Sequence, residues 1–414
     1  MDDIRPVRGM KDMYFEDAAI YKNIINIAEQ ISENYGFTFF STPIVEHTNV
    51  FTRTLGDTSD IVSKEMYTFN DKGGNSLTLR PEFTAGIIRA LISNKLQNYP
   101  PLRLFSYGPV FRYDRPQAGR YRQFHQINFE CVGISGPYID AEMINMGYDI
   151  IKSLGIKNVT LHINSLGCEE SRKSHKQALI EYFEKYQEDL SDLSKIRLYK
   201  NPLRIFDSKN EMDQTLCQDA PLINEYYTKE SQVFFENVLK FLDIFDIDYK
   251  INHKLVRGLD YYCLTAFEFV DDSSNTQQST ILAGGRYDKL SEMMGGKNVP
   301  AIGFAAGVER LAIALNNSVI NYRNKNIHIV TIGDEVMEYA VKLSNILRSN
   351  NIACIISHEG KLHKRLKDAN QNKVKYVIII GSNEVLNSQY ILKNMEKSIE
   401  TVCNIEDIIH QFTE

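Results

Sequence analysis

Residues 102–132 read LRLFSYGPVFRYDRPQAGRYRQFHQINFECV. Two strand-like runs, Leu102 to Arg112 and Gln123 to Val132, flank a tip rich in Arg, Pro and Gly, so the stretch predicts an antiparallel hairpin with a long tip. On the second run a period of two sets Phe124, Gln126, Asn128 and Glu130 on one face and His125, Ile127, Phe129 and Cys131 on the other. One face of an otherwise apolar sheet is therefore polar. Taken alone, that pattern also fits a solvated sheet face. Opposite it, however, the first run ends at Arg112 and the tip adds Arg115, Arg120 and Arg122, with Asp114 opposing them. A floor of carboxylate and amide under a rim of guanidinium suits a ligand that carries both a cation and phosphates.

Toward the N-terminus, Ile20, Ile24, Ile27 and Ile31 line one face of a helix, and Gly36 stands where a left-handed cap would end it. Phe37 to Phe40 predicts a strand stopped by Pro43, which removes a ladder donor. Residues 76–79 form a short strand, and Pro81-Glu82 looks like a helix start, with a carboxylate at the positive dipole end. Toward the C-terminus, residues 169–245 predict a mainly helical insertion. Strands return at Ala266 to Val270 and around Ile281, and Val308, Leu311, Ala312 and Leu315 keep a helical period.

The polar run Asn316 to Asn326 marks the main boundary, giving a first domain over 1–320 and a second over 326–414. The second alternates strand (Ile327 to Ile332), helix (Val336 to Arg348), strand (Ala353 to Ser357), helix (Leu362 to Asn370) and strand (Tyr376 to Ile380). That alternation predicts a small α/β domain with a largely parallel sheet.

Composition narrows the function classes. The 414 residues suffice for two to three domains of roughly 150 residues each. With 47 Lys plus Arg against 53 Asp plus Glu, the net charge of -6 argues against a protein that simply coats nucleic acid, so any such contact must be local. No run approaches the ~20 apolar residues of a membrane span, and the charged N-terminus lacks a signal segment, which makes a cytoplasmic address the expectation. Six scattered cysteines include no C-x-x-C pair, so they read as thiols in a reducing compartment and no zinc-type metal site is expected. P-loop, dinucleotide, H-E-x-x-H and G-x-S-x-G signatures are missing.

Other segments are weak one by one. LVRGLDYY at 255–262 places Arg257 beside Gly258, then Asp260, Tyr261 and Tyr262. AGGRYD at 283–288 offers either a close backbone approach to a ligand or a tight turn. Arg310, off the apolar stripe of its helix, reads alone as a surface ion pair.

Together these strings resemble the histidyl-tRNA synthetase family of class II aminoacyl-tRNA synthetases over essentially the full chain. Ser41-Thr42-Pro43 resembles motif 1, FRYDRPQAGRYRQFHQINFE at 111–130 motif 2, and GFAAGVERL at 303–311 motif 3. TLRPEFT at 78–84, LVRGLDYY and AGGRYD resemble the histidine-specific elements. Six such strings in the right order are highly specific. The resemblance implies an α/β protein whose α+β catalytic domain is an antiparallel sheet flanked by helices, with a helical insertion and a C-terminal α/β anticodon-binding domain. It also implies a homodimer through motif 1.

The activity implied is activation of L-histidine by ATP, with Mg²⁺, followed by transfer to the 3′ end of tRNA(His). Glu82, Phe83 and Thr84 would line the histidine site. Glu82, Thr84 and Gln126 would hold the α-ammonium, and Glu130 and Tyr262 the imidazole. Tyr261 and Tyr287 would line the pocket, with Ala283 to Arg286 its backbone wall. Arg112 and Arg257 would neutralise the α-phosphate, Arg120 and Arg310 would grip the outer phosphates, and Asp114 would touch the adenine or the tRNA end. Asp114 stands where the family commonly has glutamate, and Phe83 where it often has glycine. In the C-terminal domain Lys361, Lys364, Arg365 and Lys367 are the candidate tRNA contacts. Residues 321–414 carry 12 basic against 11 acidic groups, so tRNA binding should be local and salt-sensitive. The rival is a silent paralogue, the synthetase-like regulatory subunit of the ATP phosphoribosyltransferase of histidine biosynthesis.

Overall fold

The computed structural model describes residues 4–55, 61–273, 279–315, 327–357 and 360–413. The expected boundary at 316–326 lies outside the described residues. The chain divides into two units, Met1–Ser318 and Val319–Glu414.

The hairpin organises the first unit. Leu102–Phe111 pairs antiparallel with Gln123–Val132 over its whole length, Leu102 opposite Val132 and Phe111 opposite Gln123. Outward from this pair the sheet runs Thr38–Phe39, Leu102–Phe111, Gln123–Val132, Ala301–Gly307, Thr280–Arg286, Cys263–Asp271, Val159–Ser165 and Tyr249–Ile251. The two edge strands pair parallel and every other neighbour antiparallel.

Alternation decides what each face does. Phe105, Phe129 and Phe304 occupy registered positions on three adjacent strands and stack with centroids 4.8 and 4.7 Å apart. Phe37 meets Phe129 edge-on at 5.8 Å. Such ring pairs add about 0.5–1.5 kcal/mol beyond burial. The helices Phe15–Asn34, Pro137–Ser153 and Val308–Ala314 pack with one another and with these strands. The first buries Ile24, Ile25, Ala28 and Ile31, and Gly36, at φ 73°, closes it as expected. Gln126, Asn128 and Glu130 point the other way, toward the helix Thr84–Ser93 and its apolar core.

That helix begins at Thr84 and not at Pro81-Glu82. Glu82 stays outside and accepts the main-chain N–H groups of Thr84 at 2.5 Å and Ala85 at 2.8 Å, capping donors that have no partner within the helix. Gly284 and Gly285 form no turn. Both lie mid-strand, where a Cβ on the first would come within 2.3 Å of the Gly303 carbonyl and on the second within 2.5 Å of the Thr265 carbonyl. A register shift follows Gly285, and Arg286 is driven into the interior, where Asp140 and Asp288 pair with it. Of Ala283 to Arg286, only Ala283 reaches the cavity described below.

Residues 169–216 supply the helices Glu169–Glu184, Asp192–Lys200 and Glu211–Leu216, which share a core of their own around Leu179, Phe183, Leu198 and Ile205. Lys229–Ile244 instead packs against Pro137–Ser153.

In the second unit the expected strands and helices form, but the sheet is mixed. Cys354–Ser357, Ile327–Thr331 and Tyr376–Ile380 are parallel neighbours. Tyr390–Asn394 and Ile399–Cys403 extend them antiparallel, before a last helix Ile405–Thr413. The parallel expectation thus holds for three of the five described strands, from the edge strand Cys354–Ser357 to Tyr376–Ile380. The hairpin that follows escaped notice because a polar turn and an exposed outer strand blur its alternation.

Candidate active site

On the polar face of the sheet lies a cavity of ≈ 490 Å³. Glu82, Phe83, Thr84, Arg112, Asp114, Arg120, Gln126, Arg257, Tyr261, Tyr262 and Arg310 all line it, although they come from segments spread over residues 82–310. Two expected residues stand one layer behind. Glu130 is fully buried, and its oxygens accept from Thr84 Oγ1 at 2.5 Å, from Asn128 Nδ2 at 3.1 Å and from the Tyr287 hydroxyl. Burial pushes the Glu130 carboxyl up to about 7. Glu82, also buried, is shifted up for the same reason.

Glycine makes the room for Glu130. Gly303 sits opposite it on the next strand, and a Cβ there would lie 1.7 Å from Glu130 Oε2. The rings of Tyr261, Tyr262 and Tyr287 meet at 4.7, 5.5 and 6.4 Å and close this end of the cavity. Phe83 is buried, with the Arg80 guanidinium 4.0 Å above its ring. Its side chain thus fills space that a glycine would leave open.

At the other end guanidinium groups converge. Arg112 leaves the hairpin, donates Nε to the Pro81 carbonyl at 2.9 Å and lies 5.3 Å from the Phe124 ring. Arg310 lines the cavity wall. Its Nη1 donates to the Thr280 carbonyl at 3.0 Å and its Nε reaches the Gly119 carbonyl at 3.5 Å, anchoring the group half-buried at the cavity wall. Desolvation lowers the pKa of Arg310, and repulsion from Arg112 and Arg120 lowers it further. Arg120 pairs with Asp114 and, at 3.6 Å, with Glu65. Arg257 lies 3.5 Å from Glu268 and 5.8 Å from the Tyr262 ring.

Three polar atoms here are buried without a hydrogen-bond partner: Gln126 Oε1, Asn128 Oδ1 and Arg257 Nε. Orphaned buried groups are costly, so the site is built for a ligand that supplies donors at one end and negative charge at the other. Among the described residues no group of three or more His, Cys, Asp or Glu side chains is placed to hold a metal ion.

Sequence reasoning passed over Asp207, Glu268 and Gly303. Asp207 lines the cavity from the helical insertion. Nothing in its local string, PLRIFDS, announces a pocket. Glu268 alternates with core residues on Cys263–Asp271, so its polar position was readable once that strand was given full length.

In the second unit Lys361, Lys364 and Lys367 are exposed on and beside the helix Leu362–Gln371. Arg365 turns inward and donates to the Gly360 carbonyl at 2.7 Å and the Thr331 carbonyl at 3.0 Å. No described helix is long and apolar enough to cross a membrane.

Comparisons with known proteins point to one family. A family profile described as histidyl-tRNA synthetase matches residues 9–311, and one described as anticodon binding domain matches residues 326–414. A histidine–tRNA ligase of Wolbachia pipientis is 52% identical over 400 residues, 96% of each chain. One of Rickettsia bellii is 48% identical over 410 residues, 99% of this chain and 98% of the relative. The crystal structure of apo S. aureus histidyl-tRNA synthetase superposes with a TM-score of 0.83 at 35% identity, covering 100% of both chains.

Proposed function

The chain belongs to the histidyl-tRNA synthetase family, and from that premise we propose how its residues divide the work of a histidine–tRNA ligase. The reaction joins L-histidine to ATP, releases pyrophosphate, and passes the histidyl group to tRNA. In the first step a histidine carboxylate oxygen attacks the α-phosphorus and the bond to the pyrophosphate oxygen breaks. The nucleophile is already ionised at neutral pH, so no general base is needed. What opposes the step is the approach of two anions.

Arg112 and Arg257 meet that charge at the α-phosphate, and Arg120 and Arg310 hold the outer phosphates. The observation that carries this reading is the convergence of the Arg112, Arg120 and Arg310 side chains on one cavity, where a polyphosphate would balance their like charges. Arg120 leaves Asp114 to do so. Mg²⁺ bound with ATP would shield phosphate charge, and Asp114, which lines the cavity, would suit it as an oxygen ligand once Arg120 has left it.

Histidine lies across the polar face. Glu82, Thr84 and Gln126 take its α-ammonium, Gln126 Oε1 being an acceptor in want of a donor. The imidazole enters against the Tyr261 ring, and the Tyr262 hydroxyl pairs with one of its nitrogens. Thr84 and Asn128 turn from Glu130 toward the ligand, and Glu130, still held by Tyr287, accepts the ring N–H. A pocket that pairs both ring nitrogens rejects residues lacking them by roughly 10⁴ to 10⁵, so no separate editing site is required.

The segment around Pro43 supports a homodimer, since Phe39, Ile44, Val45 and Phe69 are 39 to 56% exposed there. A cytoplasmic address, domain limits at 1–320 and 326–414, and tRNA contact through the exposed Lys361, Lys364 and Lys367, with Arg365 bracing their helix, complete the reading. The regulatory-paralogue alternative is disfavoured because Arg112, Arg257 and Arg310 all line the same cavity. Histidine-dependent exchange of labelled pyrophosphate into ATP, run against all twenty amino acids, tests the function. Exchange with histidine alone supports it, and none with saturating histidine and Mg²⁺ defeats it.

A further inference from the structure

The loop that carries Arg257 is held in place by the helical insertion. Residues 255–262, LVRGLDYY, form neither helix nor strand, so their position depends on the groups that hold them from outside. At one end Asn164 Nδ2 donates to the Leu255 carbonyl at 3.0 Å. At the other, Arg172 Nη1, from the helix Glu169–Glu184, donates to the Tyr262 carbonyl at 2.9 Å.

The centre of the loop is held by the short 3₁₀ turn Pro202–Ile205 and the residue before it. Arg204 donates Nε to Asp260 Oδ1 at 2.7 Å and Nη2 to the Gly258 carbonyl at 2.8 Å. Asn201 Nδ2 reaches the same Asp260 oxygen at 2.9 Å. Arg204 is only 4% exposed, and its own carbonyl accepts from Arg197 Nη1 at 3.0 Å. The turn is thus braced from behind. Its chain then continues to Asp207, which faces the cavity.

A buried guanidinium is expensive to keep, and simple packing between insertion and loop needs only apolar contacts. A planar fork that grips one carboxylate oxygen and one carbonyl does something more specific: it fixes the direction of the backbone between them. Gly258 adjoins Arg257, and it has no side chain with which to lock its own conformation.

We infer that Arg204, assisted by Asn201, is a positioning residue for the ligase reaction, holding the Arg257 guanidinium at the cavity through Gly258 and Asp260. This rests on the reading that Arg257 acts at the reacting phosphate. Because a displacement near 1 Å at a reacting centre can cost about 10²-fold in rate, loss of the fork lowers turnover and leaves substrate binding nearly intact.

The test uses the full-length chain and follows pyrophosphate exchange in wild type, Arg204→Ala, Asp260→Ala, Arg257→Ala, and each of the first two combined with Arg257→Ala. Arg204→Ala and Asp260→Ala should each lower kcat about 10- to 100-fold, with KM for histidine and ATP within about threefold of wild type. In the Arg257→Ala background both should have almost no further effect, since the residue they position is gone. Should Arg204→Ala fail to fold, Asp260→Ala decides alone, its side chain being 22% exposed. Additive losses in the Arg257→Ala background, or a rise in KM with kcat unchanged, overturn the inference. An inactive wild type would instead defeat the ligase reading, and a fully active Arg257→Ala the role of Arg257.

Discussion

Tyr287 donates its hydroxyl to Oε2 of Glu130 in the interior behind the cavity, and both side chains are almost wholly shielded from water. The pair sets the electrostatics of the histidine end. Burial raises the Glu130 carboxyl from 4.5 to about 7 even though Thr84, Tyr287 and Asn128 all donate to it, so desolvation outweighs the hydrogen bonds.

The raised value fixes the sign of a pH effect. A carboxyl with a folded pKa above its unfolded one contributes stability that is complete below pH 4.5 and is lost as pH rises through about 7. Glu130→Gln cannot ionise and escapes that loss. Denaturant unfolding of the ligand-free protein from pH 5 to 8 should show wild type losing about 1–3 kcal/mol relative to Glu130→Gln. A constant difference across that range would mean that Glu130 is ionised throughout.

Some of this site was legible in the sequence, and the reasons differ by residue. The hairpin was plain because strict alternation through Gln126, Asn128 and Glu130 ends in a turn rich in arginine, and local pairing needs no distant partner. The strand Ala301–Gly307 was not, because a run of Ala and Gly has weak strand character and passes straight into a helix. Arg286 was misplaced by one register shift that redirects its side chain to Asp140. Asp207 and Arg204 were unreadable for another reason. Their meaning depends on an insertion folding back on a loop some fifty residues later, which no local period encodes.

Gly303 should be the least replaceable glycine of the site. Its missing Cβ is the space that Glu130 occupies, and φ at this position is not the constraint. Gly303→Ala should raise the histidine KM and cost about 1–3 kcal/mol in stability, the usual range for overpacking. Wild-type KM and stability in that variant would show that the strand can shift away.

The second unit should be separable by assay. Deletion of residues 326–414 is expected to impair aminoacylation of tRNA far more than pyrophosphate exchange, because among the described residues those that line the exchange cavity fall within 82–310. Equal loss in both assays would assign the domain to folding or to dimer stability.

The central claim is that the clustered guanidiniums stabilise charge that develops during attack on the α-phosphate. Arg257→His tests it most directly, by single-turnover adenylate formation alongside equilibrium titration of histidine. The expected result is a rate lowered by about 10² to 10³, with the histidine dissociation constant within about threefold of wild type. A dissociation constant that rises as far as the rate falls, or a rate that does not change, would contradict it and place Arg257 in ground-state binding or outside the chemistry.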